Sequence, residues 1–322
     1  MKKLIVIILL LLNSLWASSS IGSATAQFLE INLNARNMGM GNALTSLVNG
    51  ASATLINPAG VVDFSGGENK TFDTYFSYVN WPADISFGSL NLACRVGFFG
   101  TLALNVTYAN YGDEIRTTPD NPMGDGIYNM SSYALGVTFA RYLTDKFSFG
   151  MTMKLVNEDY DGSAYGQLAY DIGTLYRTGY RNMNIGMSIL HFSKEAQFSG
   201  KYVDYSDKVK MAEGKSSRFE AWPLPITFRT GVSMDALQAN SYTLRLAFDM
   251  IHNNNSSEKY GLGTELNYLN KFFVRAGYQF GTDIEGLSAG LGTKIMGMTI
   301  DYAFNTMTYF GARHRFAIGY CF

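Results

Sequence analysis

From Phe72 onward, apolar and polar residues alternate with a period of two, the spacing at which successive side chains of a strand point to opposite faces. Three segments show it without interruption. Tyr133, Leu135, Val137 and Phe139 alternate with Ala134, Gly136, Thr138 and Ala140. Phe147, Phe149, Met151, Met153 and Leu155 alternate with Ser148, Gly150, Thr152 and Lys154, and Tyr242, Leu244, Leu246, Phe248 and Met250 with Thr243, Arg245, Ala247 and Asp249. One face of each strand is wholly apolar and the other small or polar. Counting such segments through to Phe322 gives about fourteen strands of roughly ten residues, the length that crosses a bilayer when tilted. The pattern predicts an all-β fold: a transmembrane antiparallel up-and-down β-barrel.

The connections support this independently, because such barrels alternate short periplasmic turns with longer external loops. Short turns fall near Arg95, Thr144-Asp145, Thr178-Gly179, Gln238, Asn270 and Met296-Gly297. Between them lie longer polar stretches: Tyr111 to Asn129, Glu158 to Ser163, Phe192 to Pro225, Asn253 to Glu258, Thr282 to Glu285 and Thr306 to Arg313. A soluble β-sandwich could alternate apolar and polar residues equally well, but has no reason to sort its loops by length. The last strand agrees: Phe316, Ile318, Tyr320 and Phe322 share one parity, as expected of a lipid-facing strand that ends in the interfacial aromatic girdle. This row also resembles the C-terminal signal read by the outer-membrane assembly machinery.

Composition sharpens the picture. Charged residues make up 16% of the 322-residue chain, too few to cover the outside of a soluble β-domain of this size, while aromatics reach 14%. Part of the outside is therefore expected to meet outer-membrane lipid. A net charge of −1 suggests no nucleic-acid partner. At the N-terminus, Lys2 and Lys3 precede the apolar run Leu4 to Leu12 and a small polar stretch, the form of a secretory signal peptide. Cleavage is expected after Ser19 or after Ala26. Residues 1–26 then read as signal peptide, 27–70 as an N-terminal plug segment and 71–322 as the outer-membrane barrel of a Gram-negative bacterium.

The segment from Phe28 to Val61 does not alternate. Gly39 and Gly41 permit close backbone approach, and Pro58 with Gly60 stops any helix begun near Leu44. Such a piece can fold only against something else, and the lumen of a barrel this size is the economical place; a loose periplasmic leader is the alternative. Ala35-Arg36, Gly39-Met40-Gly41, Ala43 and Asn57-Pro58-Ala59-Gly60 resemble the N-terminal signature of the PorV/PorQ family, relatives of the FadL-type outer-membrane transporters. Family members often carry acidic residues before the Asn-Pro-Ala motif, where this chain has Asn49-Gly50-Ala51-Ser52. The resemblance implies a fourteen-stranded barrel plugged by residues that include Arg36, Gly39, Gly41, Asn57, Pro58, Ala59 and Gly60. It also implies work alongside type IX secretion, binding or handing over exported cargo proteins together with other secretion components.

No catalytic constellation is visible, and neither a cofactor nor a metal is expected. His191, His252 and His314 stand singly near predicted external strand ends, without HExxH or Cys/His metal spacing. Cys94 and Cys321 fall near periplasmic ends on strands separated by the first, beyond bridging distance, and are expected to stay as thiols. Gly261, Gly263, Gly290 and Gly292 lie on alternating segments with no following helix, so they form no phosphate cradle and are expected to make room for the plug. On the inward parity of consecutive strands lie Arg229, Arg245, Asp249, Glu265, Arg275, Lys294 and Asp301, with Arg245, Glu265 and Arg275 at similar depth. They predict a lumenal charge belt that pins the plug, with a polar passage or a docking surface as the functional alternative.

Two functional classes follow. In one, the chain binds secreted proteins through its external loops, chiefly Phe192 to Pro225 with its Trp222-Pro223-Leu224-Pro225 end. In the other, it conducts hydrophobic small molecules such as fatty acids in the FadL manner, which requires an apolar pocket. The small and charged inward faces of the strands favour the first. Both require the processed chain to remain in the membrane fraction until detergent releases it, which cell fractionation checks.

Overall fold

The structure, a computed structural model, describes residues 22–64, 67, 69–117, 121–124, 126–203, 216–282, 285–309 and 311–322. The signal run Leu4 to Leu12 lies outside them. Among the described residues, fourteen antiparallel strands close into a barrel. They are β1 Phe72–Asn80, β2 Ser86–Arg95, β3 Thr101–Asn110, β4 Met130–Thr144, β5 Phe147–Tyr160, β6 Ser163–Arg177 and β7 Asn184–Ser193. The chain continues with β8 Thr227–Gln238, β9 Tyr242–Asn253, β10 Lys259–Tyr268, β11 Phe272–Phe280, β12 Glu285–Ile295, β13 Met298–Met307 and β14 Gly311–Cys321. Each strand neighbours the next in sequence, and β14 returns to pair with β1 from Asp73↔Cys321 to Val79↔Arg315. Phe72 and Phe322 complete the seam. Each backbone N–H donates to the other's carbonyl at 2.9 Å, and their rings stack at 5.4 Å.

Alternation decides the faces. Large apolar side chains point outward along every strand, for example Leu104 and Val106, Leu135 and Val137, and Leu262 and Leu266. Phe316, Ile318, Tyr320 and Phe322 continue that outward row along β14. Small or polar residues point inward. Cys94 shares the parity of exposed Leu90 and Leu92, whereas Cys321 is buried on the lumenal side, so the two thiols face opposite sides of the wall and form no bridge.

Turns at the periplasmic end fall where the sequence placed them, but sorting of the external loops by length rests on fewer loops than expected. The stretch from Glu158 to Ser163 is not a polar loop: β5 runs to Tyr160, β6 begins at Ser163, and Asp161-Gly162 alone makes the turn. Asp161 (φ 55°) and Gly162 (φ 86°) adopt the left-handed conformation that suits a two-residue hairpin, a signal present in the Asp-Gly pair. The long external connections are 111–129, with the short pair Glu114–Ile115 and Ile127–Tyr128, and 194–226. The latter carries two short strand pairs, Ala196–Gln197 with Ala221–Trp222 and Tyr202–Val203 with Ser216–Ser217.

The N-terminal segment runs along the inward faces from the external end to the periplasmic end. Thr25 N–H donates to the Pro223 carbonyl at 3.0 Å, and Asn255 of an external loop donates to Gln27 at 3.3 Å. Among the described residues its only α-helical turn, α1, is Ala35–Gly39, N-capped by Asn34, whose side chain accepts from Asn37 N–H at 2.9 Å. The helix therefore begins well before Leu44, at the Asn34 cap. Beyond it, 3-10 turns cover Gly50–Leu55 and Pro58–Val62. The segment ends at Asp63, which pairs with Arg177 at the periplasmic end of β6.

Glycine makes this fit possible. Gly41 (φ 63°) lies with its backbone against β10 and β11, where Gly263 and Gly277 stand directly opposite each other in register. A side chain at either would collide with the backbone of Met40-Gly41. Gly261 and Gly290 also face residues 39–43, but Gly292 faces the side chains of Asp301 and Arg275. The inward glycines continue round the wall as Gly150 and Gly173 beside Asn57-Pro58, and Gly186 and Gly231 beside Thr45. Replacing Gly277 with Leu should leave the barrel's heat-modifiable gel mobility intact while making residues 27–64 sensitive to protease. A protected segment would contradict the tight fit.

Candidate functional site

Midway along the lumen, strand register places Arg245 opposite Glu265 and Glu265 opposite Arg275. Glu265, 1% exposed, holds three arginines. Arg36 of α1 donates to both of its oxygens at 2.8 Å, Arg275 donates Nε to Oε2 at 2.8 Å, and Arg245 reaches Oε1 at 3.3 Å. Arg275 continues to Asp301 at 2.6 Å, and Arg245 to Asp235 at 2.8 Å. Three guanidinium groups thus meet three carboxylates, and the cluster is neutral as a whole. Neutrality matters because a charge held away from water is tolerable only when paired and hydrogen-bonded.

A second cluster holds the turn after α1. Asp249 Oδ2 accepts from Thr45 N–H at 2.9 Å and from its hydroxyl at 2.5 Å. Arg229 donates to the Thr45 hydroxyl at 3.0 Å, to the Asn42 carbonyl at 2.8 Å, and lies 3.4 Å from Asp249. Asn57 of the Asn-Pro-Ala-Gly motif donates to the carbonyls of Thr45 and of Thr174 on β6, both at 3.0 Å. Ala59 and Gly60 are buried behind it against β4 to β6.

The belt expected from sequence is therefore divided between two clusters. Arg245, Glu265, Arg275 and Asp301 form one, Arg229 and Asp249 the other. Lys294 belongs to neither; it sits opposite Thr299 near the periplasmic end, where its charge bears on Asp73. Other contributors were missed. Asp235 sits beside the bulge between Asp235 and Leu237, which disturbs the strand's parity. Arg315, fully buried on β14, donates to the Asn32 carbonyl at 2.8 Å. Glu158, assigned to a loop, is buried on β5 and accepts from Thr25, Ala26 N–H, Ser132, Tyr160 and Tyr165 at 2.6–3.2 Å.

His191 lies near the external end of β7, as expected, but its side chain does not face outward. It points inward instead, with Nδ1 2.8 Å from Lys154 Nζ, and Lys154 pairs with Asp171 at 2.7 Å. The cause is a register shift between β6 and β7 at Tyr170/Ile172, with His191 in the left-handed region (φ 62°) and its N–H on Asp171 at 2.7 Å. A break in strand parity has no counterpart in an alternation pattern. His252 stays outside beside Glu258, and His314 contacts the Tyr302 hydroxyl at 2.7 Å. Among the described residues, no group of His, Cys, Asp and Glu could hold a metal ion.

Above the clusters, toward the external mouth, is a cavity of about 430 Å³. Much of its apolar wall comes from the N-terminal segment, in Phe28, Ile31, Leu33 and Leu55, facing Trp81 and Ile251 of the barrel. The strands' inward faces, read alone, had argued against any such pocket. The apolar surface arrives from elsewhere in the chain.

Comparison with solved structures bears on this arrangement. The toluene transporter TodX of Pseudomonas putida superposes with a TM-score of 0.58 at 11% identity, over 94% of this chain and 99% of its own. The CymD monoaromatic hydrocarbon channel gives 0.58 at 12% identity, over 90% and 97%. A FadL homologue of Pseudomonas aeruginosa gives 0.56 at 11%, over 95% and 99%. The fold is that of the FadL-like outer-membrane barrels. No protein-family description matches the chain, and no curated protein matches its sequence. At these identities the FadL-like likeness concerns the fold alone, and the side chains that line the lumen are this chain's own.

Because Arg36 pairs with no other carboxylate among the described residues, removing the Glu265 charge leaves its guanidinium without an ionic partner and the cluster with one excess positive charge, at a cost of about 3–5 kcal/mol. Glu265→Gln should lower the unfolding temperature of the detergent-solubilised barrel by roughly 6–12 °C in a thermal melt. An unchanged temperature would show that the cluster carries no stability.

Proposed function

We propose that the protein is a non-enzymatic outer-membrane conduit for hydrophobic small molecules, with the external cavity as the first binding site and the N-terminal segment as the plug below it. The observation that carries this reading is the cavity itself. It combines apolar side chains from two parts of the chain with a few polar groups, has a volume of about 430 Å³, and sits at the external end of a barrel whose middle is occupied by the segment. The FadL-like fold, shared with the CymD monoaromatic hydrocarbon channel and the toluene transporter TodX, supports the same choice. Passage to the periplasm requires the plug to shift, because Arg36, Thr45 and Asn57 tie it to opposite parts of the wall.

A second reading, membership of the PorV/PorQ family with a role beside type IX secretion, rests on the motif residues. Arg36, Gly39, Gly41 and Asn57 to Ala59 face the barrel wall and Gly60 packs against Val48 and Ala53 of the segment itself, so their pattern accounts for packing of the segment rather than recognition of a partner. Trp222, 42% exposed on the external loop, is the feature that suits a protein partner. Recovery of an exported protein or secretion component with the chain on mild extraction would carry this second reading instead. In either case we infer that the outward row Phe316, Ile318, Tyr320 and Phe322 serves recognition by the assembly machinery.

Trp81 lines the cavity and reports on its occupancy once Trp222 is replaced by Phe. In that background, 1-bromodecane should quench Trp81 saturably in the purified protein. Leu33→Asp should weaken the quenching at least roughly tenfold while the gel mobility of the barrel is kept, since burying a charge against an apolar ligand is costly. Quenching no stronger than that of free tryptophan in the same micelles would rule out an apolar site.

A further inference from the structure

The cavity has a polar side that its apolar wall does not explain. Glu30, Asn37, Asn253 and Gln279 all line it, and one oxygen of each is buried without a hydrogen-bond partner. Asn37, Gln279 and Asn253 are 1%, 2% and 5% exposed. Buried oxygens of this kind are rare in folded proteins and mark places where something else supplies the proton.

Two of the oxygens have no way to relieve the deficit. Arg229 donates to Asn42 Oδ1 at 3.0 Å, and a guanidinium can only donate, so the Asn42 amide is fixed with its oxygen as acceptor. Asn37 Nδ2 donates to that same oxygen at 2.7 Å. Turning the Asn37 amide over would set oxygen against oxygen, so Asn37 Oδ1 stays without a donor. An ionised carboxylate such as that of Glu30 has no donor end. Of the cations that line the cavity, Lys154 is committed to Asp171 at 2.7 Å and Arg229 to Thr45, Asn42 and Asp249, while Lys259 makes no ion pair among the described residues and donates to none of these oxygens.

We propose that this cavity selects amphiphiles whose polar end donates hydrogen bonds, such as a primary alcohol, a phenol or an alkylammonium, over alkanes and over carboxylates. The inference rests on the reading of the cavity as an apolar-ligand site and adds what the head of that ligand must be. An alkane would leave the oxygens buried and unsatisfied. At these oxygens a carboxylate, acceptor-only when ionised, would bring two more acceptors where donors are already missing. A hydroxyl or ammonium supplies the missing donor while its chain lies along Leu33, Ile31 and Ile251.

Competition against 1-bromodecane in the Trp222→Phe protein tests this at neutral pH. 1-Decanol and decylamine should restore Trp81 fluorescence at concentrations roughly tenfold below those of decane and decanoate, as expected for one buried hydrogen bond gained or lost. Gln279→Leu and Asn37→Leu should each narrow that gap several-fold. Gln279→Leu serves as the second variant, because Asn37 also takes part in the fold of α1. Decane or decanoate competing as well as decanol would overturn the proposal while leaving the apolar site standing, since 1-bromodecane would still quench. Loss of all quenching would defeat the apolar site itself, and this proposal with it. A gap unchanged in both variants would assign the preference to other groups and overturn the assignment made here.

Discussion

A strand in hydrocarbon has no water to satisfy its N–H and C=O groups, so the sheet must close on itself or carry an edge that lipid cannot solvate. Everything else in this molecule follows from that closure. Pairing of β14 with β1 and the mutual bonds of Phe72 and Phe322 turn fourteen strands into one ring. Closure then fixes which parity of every strand meets lipid and which meets the lumen. It also creates an interior that the strands, with inward glycine, alanine, serine and threonine, are too small to fill.

The N-terminal segment fills that interior by two devices acting at different ranges. Inward glycines remove the side chains that would hold the segment off the wall, as at Gly263 and Gly277 beside Met40-Gly41. Ion pairs then supply orientation. A carboxylate that accepts from guanidinium groups of one segment residue and two strands, as Glu265 does, tolerates only one placement of α1. Packing without the charges would allow the segment to slide along a smooth glycine surface. The charges without the glycines could not come within hydrogen-bonding distance.

The same segment gives the external cavity its character. A lumen built from strand residues alone would be small-walled and polar, suited to water and ions. Phe28, Ile31, Leu33 and Leu55 line one side with hydrocarbon, and the side-chain oxygens of Glu30 and Asn37 set a polar patch into it. One stretch of chain thus occupies the lumen and lines the cavity above it.

Much of the fold was legible in the residues. Period-two alternation between, for example, Tyr133 and Ala140 needs no tertiary information, because a strand's geometry alone sends neighbours to opposite faces. The same counting set Arg245, Glu265 and Arg275 at one depth, since short turns fix register. What could not be read were contacts made where counting fails or between distant parts of the chain. The register shift that turns His191 inward, the bulge beside Asp235 and the burial of Glu158 depend on how neighbouring strands meet. The apolar cavity depends on which wall the N-terminal segment lies against. Alternation is a local property of a strand and is written in its residues. The lumen is a shared space, and its chemistry is settled only when the ring has closed around the segment that enters it.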